Sequence, residues 1–90
     1  MTVEYAAGNN GTPGVELRYS PRCATAWART GYYWGGLKVE SFYSNGTLRR
    51  VQSIGTDPNH LYTQMVNDQG LLADACVREP YSSWICTWDY

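Results

Sequence analysis

LKVESFYSNGTLRRVQSI (37–54) is the stretch that decides the fold class. Two runs, LKVESFY (37–43) and TLRRVQSI (47–54), flank Ser44-Asn45-Gly46. Asn-Gly at the centre of a hairpin connection tolerates positive φ at both positions, the strongest short-range hairpin signal a sequence carries. The implied register sets Leu37 opposite Ile54 and Tyr43 opposite Leu48. A chain built around such a hairpin is antiparallel β.

Downstream, GTDPNH (55–60) reads as a loop with an Asp-Pro turn. It leads into the strand LYTQMV (61–66), an Asn67-Asp68-Gln69-Gly70 turn, the strand LLADACV (71–77) and a closing strand WICTW (84–88). In that last strand, alternation puts Trp84, Cys86 and Trp88 on one face and Ile85 and Thr87 on the other. Upstream, TVEYAA (2–7) and VELRY (15–19) flank the turn GNNGTPG (8–14) and form a first hairpin. Val3 and Tyr5 share one face, as do Val15, Leu17 and Tyr19. Between these hairpins the spacing predicts a short helix over 21–30. Ser20 suits the N-cap and Pro21 the first helical position, while Cys23, Ala26, Trp27 and Thr30 recur at i, i+3, i+4 and i+7. Gly31 would end it, and GYYWGG (31–36) follows as an aromatic loop. The expected architecture is mainly β (α+β). It is a small antiparallel sheet or sandwich of about seven short strands with one helix, in a single domain over 1–90.

Composition excludes several function classes. Seven basic against eight acidic residues leave a net charge of −1, which argues against a polyanion binder. No apolar run reaches the roughly 18 residues of a membrane span, so no membrane insertion is expected. No Gly-rich loop links a strand to a helix in the manner of a nucleotide site. The single histidine, His60, follows Asp57 in a polar turn without an activated nucleophile, so no catalytic residue is expected. Asp68 in a turn and Asp74 in a strand form no evident carboxylate pair. The chain therefore reads as a non-enzyme without cofactor.

Three cysteines, Cys23, Cys76 and Cys86, admit at most one internal bridge. With no C-x-x-C and the only histidine remote in sequence, a zinc site is disfavoured. Three buried, reduced cysteines are one alternative. A Cys76–Cys86 disulfide is the favoured one, because a hairpin of 71–77 with 84–88 sets these two opposite and pairs Val77 with Ile85 in the same register. Loop closure gives such a bridge about 2.5–3 kcal/mol at most.

VELRYSPRCATAWART (15–30), with Cys23, Ala26, Trp27, Ala28 and Arg29, resembles the YjfA-like domain of unknown function. That domain occurs in secreted and membrane-anchored proteins of streptomycetes and related Gram-positive bacteria. Met65-Val66-Asn67-Asp68, Ala75-Cys76-Val77 and the closing Trp84 and Cys86 extend the resemblance over roughly 15–88. It implies an extracytoplasmic, disulfide-bonded domain with no established enzymatic activity. The family carries a cysteine-containing segment with an Asp-Pro before the strand region, whereas this chain opens at Met1-Thr2-Val3. The expectation is that Cys23 lacks its usual partner, in a chain that begins inside the domain or in a shortened, cytoplasmically made relative such as a virion-associated protein.

Thirteen aromatics (Trp 4, Tyr 8, Phe 1) remain to be assigned. Trp27 and Tyr19 are expected in the core. Tyr32, Tyr33 and Trp34 in their Gly-flanked loop, with Tyr81 and Trp84, form the candidate binding surface, the alternative being a second small core. Arg18, Arg22, Arg29, Arg49 and Arg50 would give the surface an aromatic and arginine character. The expected function is an extracytoplasmic interaction module for a protein or cell-envelope macromolecule, not for nucleic acid. A structural or decoration component of a larger particle, and a carbohydrate-binding module, are the alternatives. Oligomeric state is not legible.

Overall fold

Antiparallel pairing organises the whole computed structural model, which describes residues 2–7, 14–31, 36–54, 61–78, 84–88 and 90. Eight strands occur among them: β1 (Thr2–Ala6), β2 (Val15–Ser20), β3 (Thr25–Thr30), β4 (Gly36–Phe42), β5 (Leu48–Ile54), β6 (Val66–Asn67), β7 (Leu72–Arg78) and β8 (Trp84–Cys86). They form two four-stranded sheets, ordered β1-β2-β3-β6 and β5-β4-β7-β8. The inner faces of the two sheets supply one core of Val15, Leu17, Ala26, Ala28, Leu37, Val39, Val66, Ala73, Ala75 and Val77. The architecture is a sandwich.

The central hairpin pairs Leu37 with Ile54 as its sequence predicts, but not Tyr43 with Leu48. The register slips between Ser41 and Phe42, so that Phe42 faces Leu48. The turn is the reason. Gly46 N–H donates to the Tyr43 carbonyl (2.9 Å) and Gly46 then takes φ 88°, which lengthens the connection by a residue and is absorbed as a bulge. Asn45 Oδ1 accepts the Thr47 N–H at 2.9 Å and holds this geometry.

The helix over 21–30 does not form. Residues 21–24 turn, and 25–30 are β3, paired with all six residues of β2 from Val15↔Thr30 to Ser20↔Thr25. Cys23, Ala26, Trp27 and Thr30 fit a helical period, but Ala26, Ala28 and Thr30 equally fit a period of two. The ladder to β2 selects the second, which sends Trp27 outward. The capping signal is real but closes a tight corner instead: Ser20 Oγ accepts the Cys23 N–H at 3.4 Å. Ala24 at φ 51° then turns the chain away from any helical path.

The count of seven strands therefore becomes eight among the described residues, and 61–66 shrinks to an isolated bridge at Tyr62 plus the short β6. In β1 a shift between Thr2 and Glu4 separates Val3, which packs on the core, from Tyr5, which is exposed. Trp27 and Tyr19 are half-buried and lie outside the core, contrary to expectation. No aromatic side chain belongs to the core among the described residues. Four of the core positions are alanines, which leave no room for a ring between the sheets.

Two threonines cover core edges by the same device. Thr87 donates its N–H to the Ala75 carbonyl (2.8 Å), and its Oγ1 accepts the Ala75 N–H (3.0 Å). Thr63 does both toward Ala28, at 2.9 and 3.0 Å. Each hydroxyl thus supplies an acceptor where the neighbouring strand would otherwise leave a buried N–H unpaired.

Candidate binding surface

With the core facing inward, alternate residues of each strand point outward. On the sheet of β1, β2, β3 and β6, pairing aligns them in rows. One row runs Tyr5↔Glu16↔Arg29↔Tyr62 across three strands and the Arg29–Tyr62 bridge. Tyr5 is 57% exposed and Tyr62 65%, so the row ends in an accessible ring on each side. The adjacent row is Thr2↔Arg18↔Trp27, with the Arg18 guanidinium 6.0 Å from the indole centroid. The rows are stitched together at Thr2. Its hydroxyl donates to Glu16 Oε1 (2.7 Å) and accepts from Arg18 Nη1 (2.9 Å). Arg29 Nε lies 3.9 Å from Glu16 Oε2, an exposed pair that restrains the guanidinium weakly. Arg18 Nε is buried and makes no hydrogen bond among the described residues, so this guanidinium is only partly satisfied by them.

The outer face of the other sheet centres on Lys38, Glu40, Asp74 and Cys76. Trp84 on β8 reaches back across β7 to Gly36 on β4. A Cβ at residue 36 would stand 3.0 Å from the ring's Cη2, so glycine there leaves the space the indole fills. Lys38 Nζ sits 4.5 Å from the centroid of the same ring and 3.7 Å from Glu40 Oε2. On the next strand Cys76 is fully buried and bonded to Cys86, as the hairpin register predicts, with Val77 facing Ile85. Trp84 and Cys86 are exposed and Trp88 is 84% exposed, while Ile85 packs on the core and Thr87 is buried.

Of the five residues expected to form the binding surface, Tyr32, Tyr33, Trp34 and Tyr81 lie outside the described residues, and so does His60. Trp84 is described and is 37% exposed. Sequence reading missed Tyr5 and Tyr62 as surface residues. Their signal is the period of two in 25–30, because without β3 there is no ladder to carry a row from β1 to Tyr62. Arg29 stands at the middle of that row.

Cys23 is a free, exposed thiol. Asp68 lies in the turn after β6, where burial pushes its carboxyl up to about 6. Its Oδ1 is buried without a hydrogen-bond partner among the described residues.

A family model described as "Protein of unknown function (DUF2690)" matches residues 1–76, most of the chain. The chain belongs to the DUF2690 family. The matched span covers β1 to β6 and most of β7, and hence the whole row from Tyr5 to Tyr62. It ends at Cys76, so β8 with Cys86 lies beyond it. No curated protein and no solved structure matches this DUF2690 chain significantly.

Proposed function

We propose that this chain is a small, non-catalytic interaction module that binds another macromolecule, a protein or cell-envelope component, through an aromatic and arginine surface. The observation that carries the reading is the Tyr5–Glu16–Arg29–Tyr62 row beside Arg18 and Trp27, held on a paired sheet. Tyrosine, tryptophan and arginine are the residues that dominate binding at protein interfaces, since they bring large contact area and several donors at modest entropic cost. A sheet fixes their spacing before the partner arrives. The weak Arg29–Glu16 pair leaves the Arg29 guanidinium ready to engage a partner's carboxylate.

The YjfA-like resemblance supports an extracytoplasmic setting, and a formed disulfide is at home there. The test is affinity capture from envelope fractions with the wild type and with an Arg29→Ala/Tyr62→Ala variant of equal melting temperature. A protein partner retained by the first and lost by the second is the expected result. Equal retention by both removes the surface from consideration. Binding confined to a glycan array, with no protein captured, replaces the reading with carbohydrate recognition.

A further inference from the structure

Cys76, Cys86, Glu40 and Asp74 converge on the outer face of the β5-β4-β7-β8 sheet, each offering one ligand atom within 4.8 Å of the other three. The convergence follows from register. Glu40 pairs with Asp74 and Lys38 with Cys76, which in turn pairs with Cys86, so two adjacent rungs bring two carboxylates beside two sulfurs. Glu40 Oε1 lies 3.5 Å from Cys76 Sγ and Asp74 Oδ1 lies 3.7 Å from it. A disulfide sulfur carries no proton, so these contacts are not S–H hydrogen bonds. Two acids placed directly opposite each other across a strand pair are ordinarily unfavourable. Here Asp74 is 8% exposed, and the Lys38 ammonium lies 3.7 Å from Glu40 Oε2 as a counter-charge.

From these distances we infer that the reduced form of this cluster is a tetrahedral site for a thiophilic divalent cation of the zinc class, gated by the Cys76–Cys86 bond. With bonds of about 2.3 Å to sulfur and about 2.0 Å to oxygen, a tetrahedral zinc ion spaces a sulfur and an oxygen ligand about 3.5 Å apart. Both carboxylate–sulfur separations already stand close to that edge length. The same geometry needs the two sulfurs about 3.8 Å apart, which they reach by side-chain rotation once the bond between them is cut. Cys86 is exposed, so both reductant and cation have a path from solvent.

Opening the gate takes two electrons and two protons. A thiol reductant attacks the exposed Cys86 sulfur and Cys76 leaves. A second reductant thiol resolves the mixed disulfide, so that two protein thiols and one oxidised reductant disulfide result. The cation then replaces the two thiol protons, which go to solvent. Two thiolates, two carboxylates, the cation and Lys38 leave the cluster at −1. The cation therefore cancels the two negative charges that loss of the thiol protons creates. The site exists only where thiols are kept reduced; in the oxidising setting proposed above the same face carries the covalent link instead.

The test uses the full chain with Cys23→Ser, which removes the third thiol as a competing ligand. Reduced with a phosphine under anaerobic conditions and titrated with Co²⁺, it is expected to bind one ion per chain, with thiolate-to-cobalt charge transfer and the intense visible bands of a tetrahedral site. Zn²⁺ should bleach the spectrum and raise the melting temperature of the reduced chain. Glu40→Gln and Asp74→Asn, checked for folding in the oxidised state, should each weaken binding by about tenfold or more. The oxidised protein should give no charge-transfer band. Absence of that band after reduction overturns the proposal, and so does binding that both carboxylate variants leave unchanged. A reduced chain that loosens and is not restored by Zn²⁺ also overturns it.

Discussion

Replacing Asp68 by asparagine should stabilise this protein at neutral and alkaline pH and leave it unchanged in acid. Asp68 follows β6, in a turn where its N–H donates to the Ala24 carbonyl (2.8 Å) and its own carbonyl accepts the Leu71 N–H (3.3 Å). These backbone bonds survive the substitution. The side chain is the liability: it is 7% exposed, its Oδ1 has no partner among the described residues, and burial lifts its pKa from 3.8 to about 6. Because the folded state holds the proton more tightly than the unfolded chain, the favourable contribution is complete below about pH 4. It is lost as pH rises through about 6. The full difference between the two pKa values corresponds to about 3 kcal/mol. Exposed Asn67 and Gln69 on either side let water reach the ionised carboxylate, so about half of that is the better figure. For a domain of this size about 1–2 kcal/mol corresponds to about 4–16 °C in melting temperature. Thermal melts of the oxidised wild type and Asp68→Asn from pH 4 to pH 8 measure it, and their difference cancels every other titrating group. A gap that is the same at pH 4 and pH 8 refutes the reasoning.

Other expected outcomes follow from single contacts. Thr87→Val keeps shape but removes the acceptor of the Ala75 N–H, so urea denaturation should show a loss of about 1–3 kcal/mol. A neutral result means water replaces the hydroxyl. Ala24→Gly relieves the left-handed conformation at φ 51° and should gain about 0.5–1 kcal/mol by the same assay, whereas a loss would contradict the corner geometry. Gly36→Ala places a methyl 3.0 Å from the Trp84 ring and should push the indole out from beneath Lys38. The readout is a red-shifted, more quenchable tryptophan emission with a stability cost of about 1–3 kcal/mol. An unchanged spectrum would mean the ring does not lie there.

The antiparallel character of the chain, the 37–54 hairpin and the Cys76–Cys86 bond were legible because each depends on neighbours in sequence. Asn-Gly chemistry closes a hairpin locally, and a disulfide between adjacent strands follows once Val77 is set against Ile85. The segment 21–30 was not legible in the same way. Ser20, Pro21 and the 3.6-residue spacing of Cys23, Ala26, Trp27 and Thr30 are sound local signals for a helix, yet those residues have a free edge of β2 beside them. Six cross-strand pairs outweigh one capping bond, which persists as the Ser20–Cys23 turn. That one change moves Trp27 from core to surface and turns scattered Tyr5, Arg29 and Tyr62 into a row.

Sequence alone thus determined the antiparallel character, the Asn45-Gly46 turn and the single disulfide, all set by interactions within hairpins. Tertiary structure decided which faces meet. It chose alanines over aromatic rings for the space between the sheets, because two closely packed sheets admit only small and branched aliphatic side chains there. It also brought Glu40 and Asp74 against the Cys76–Cys86 bond. That juxtaposition depends on the pairing of β4 with β7, strands some thirty residues apart, and no local pattern encodes it.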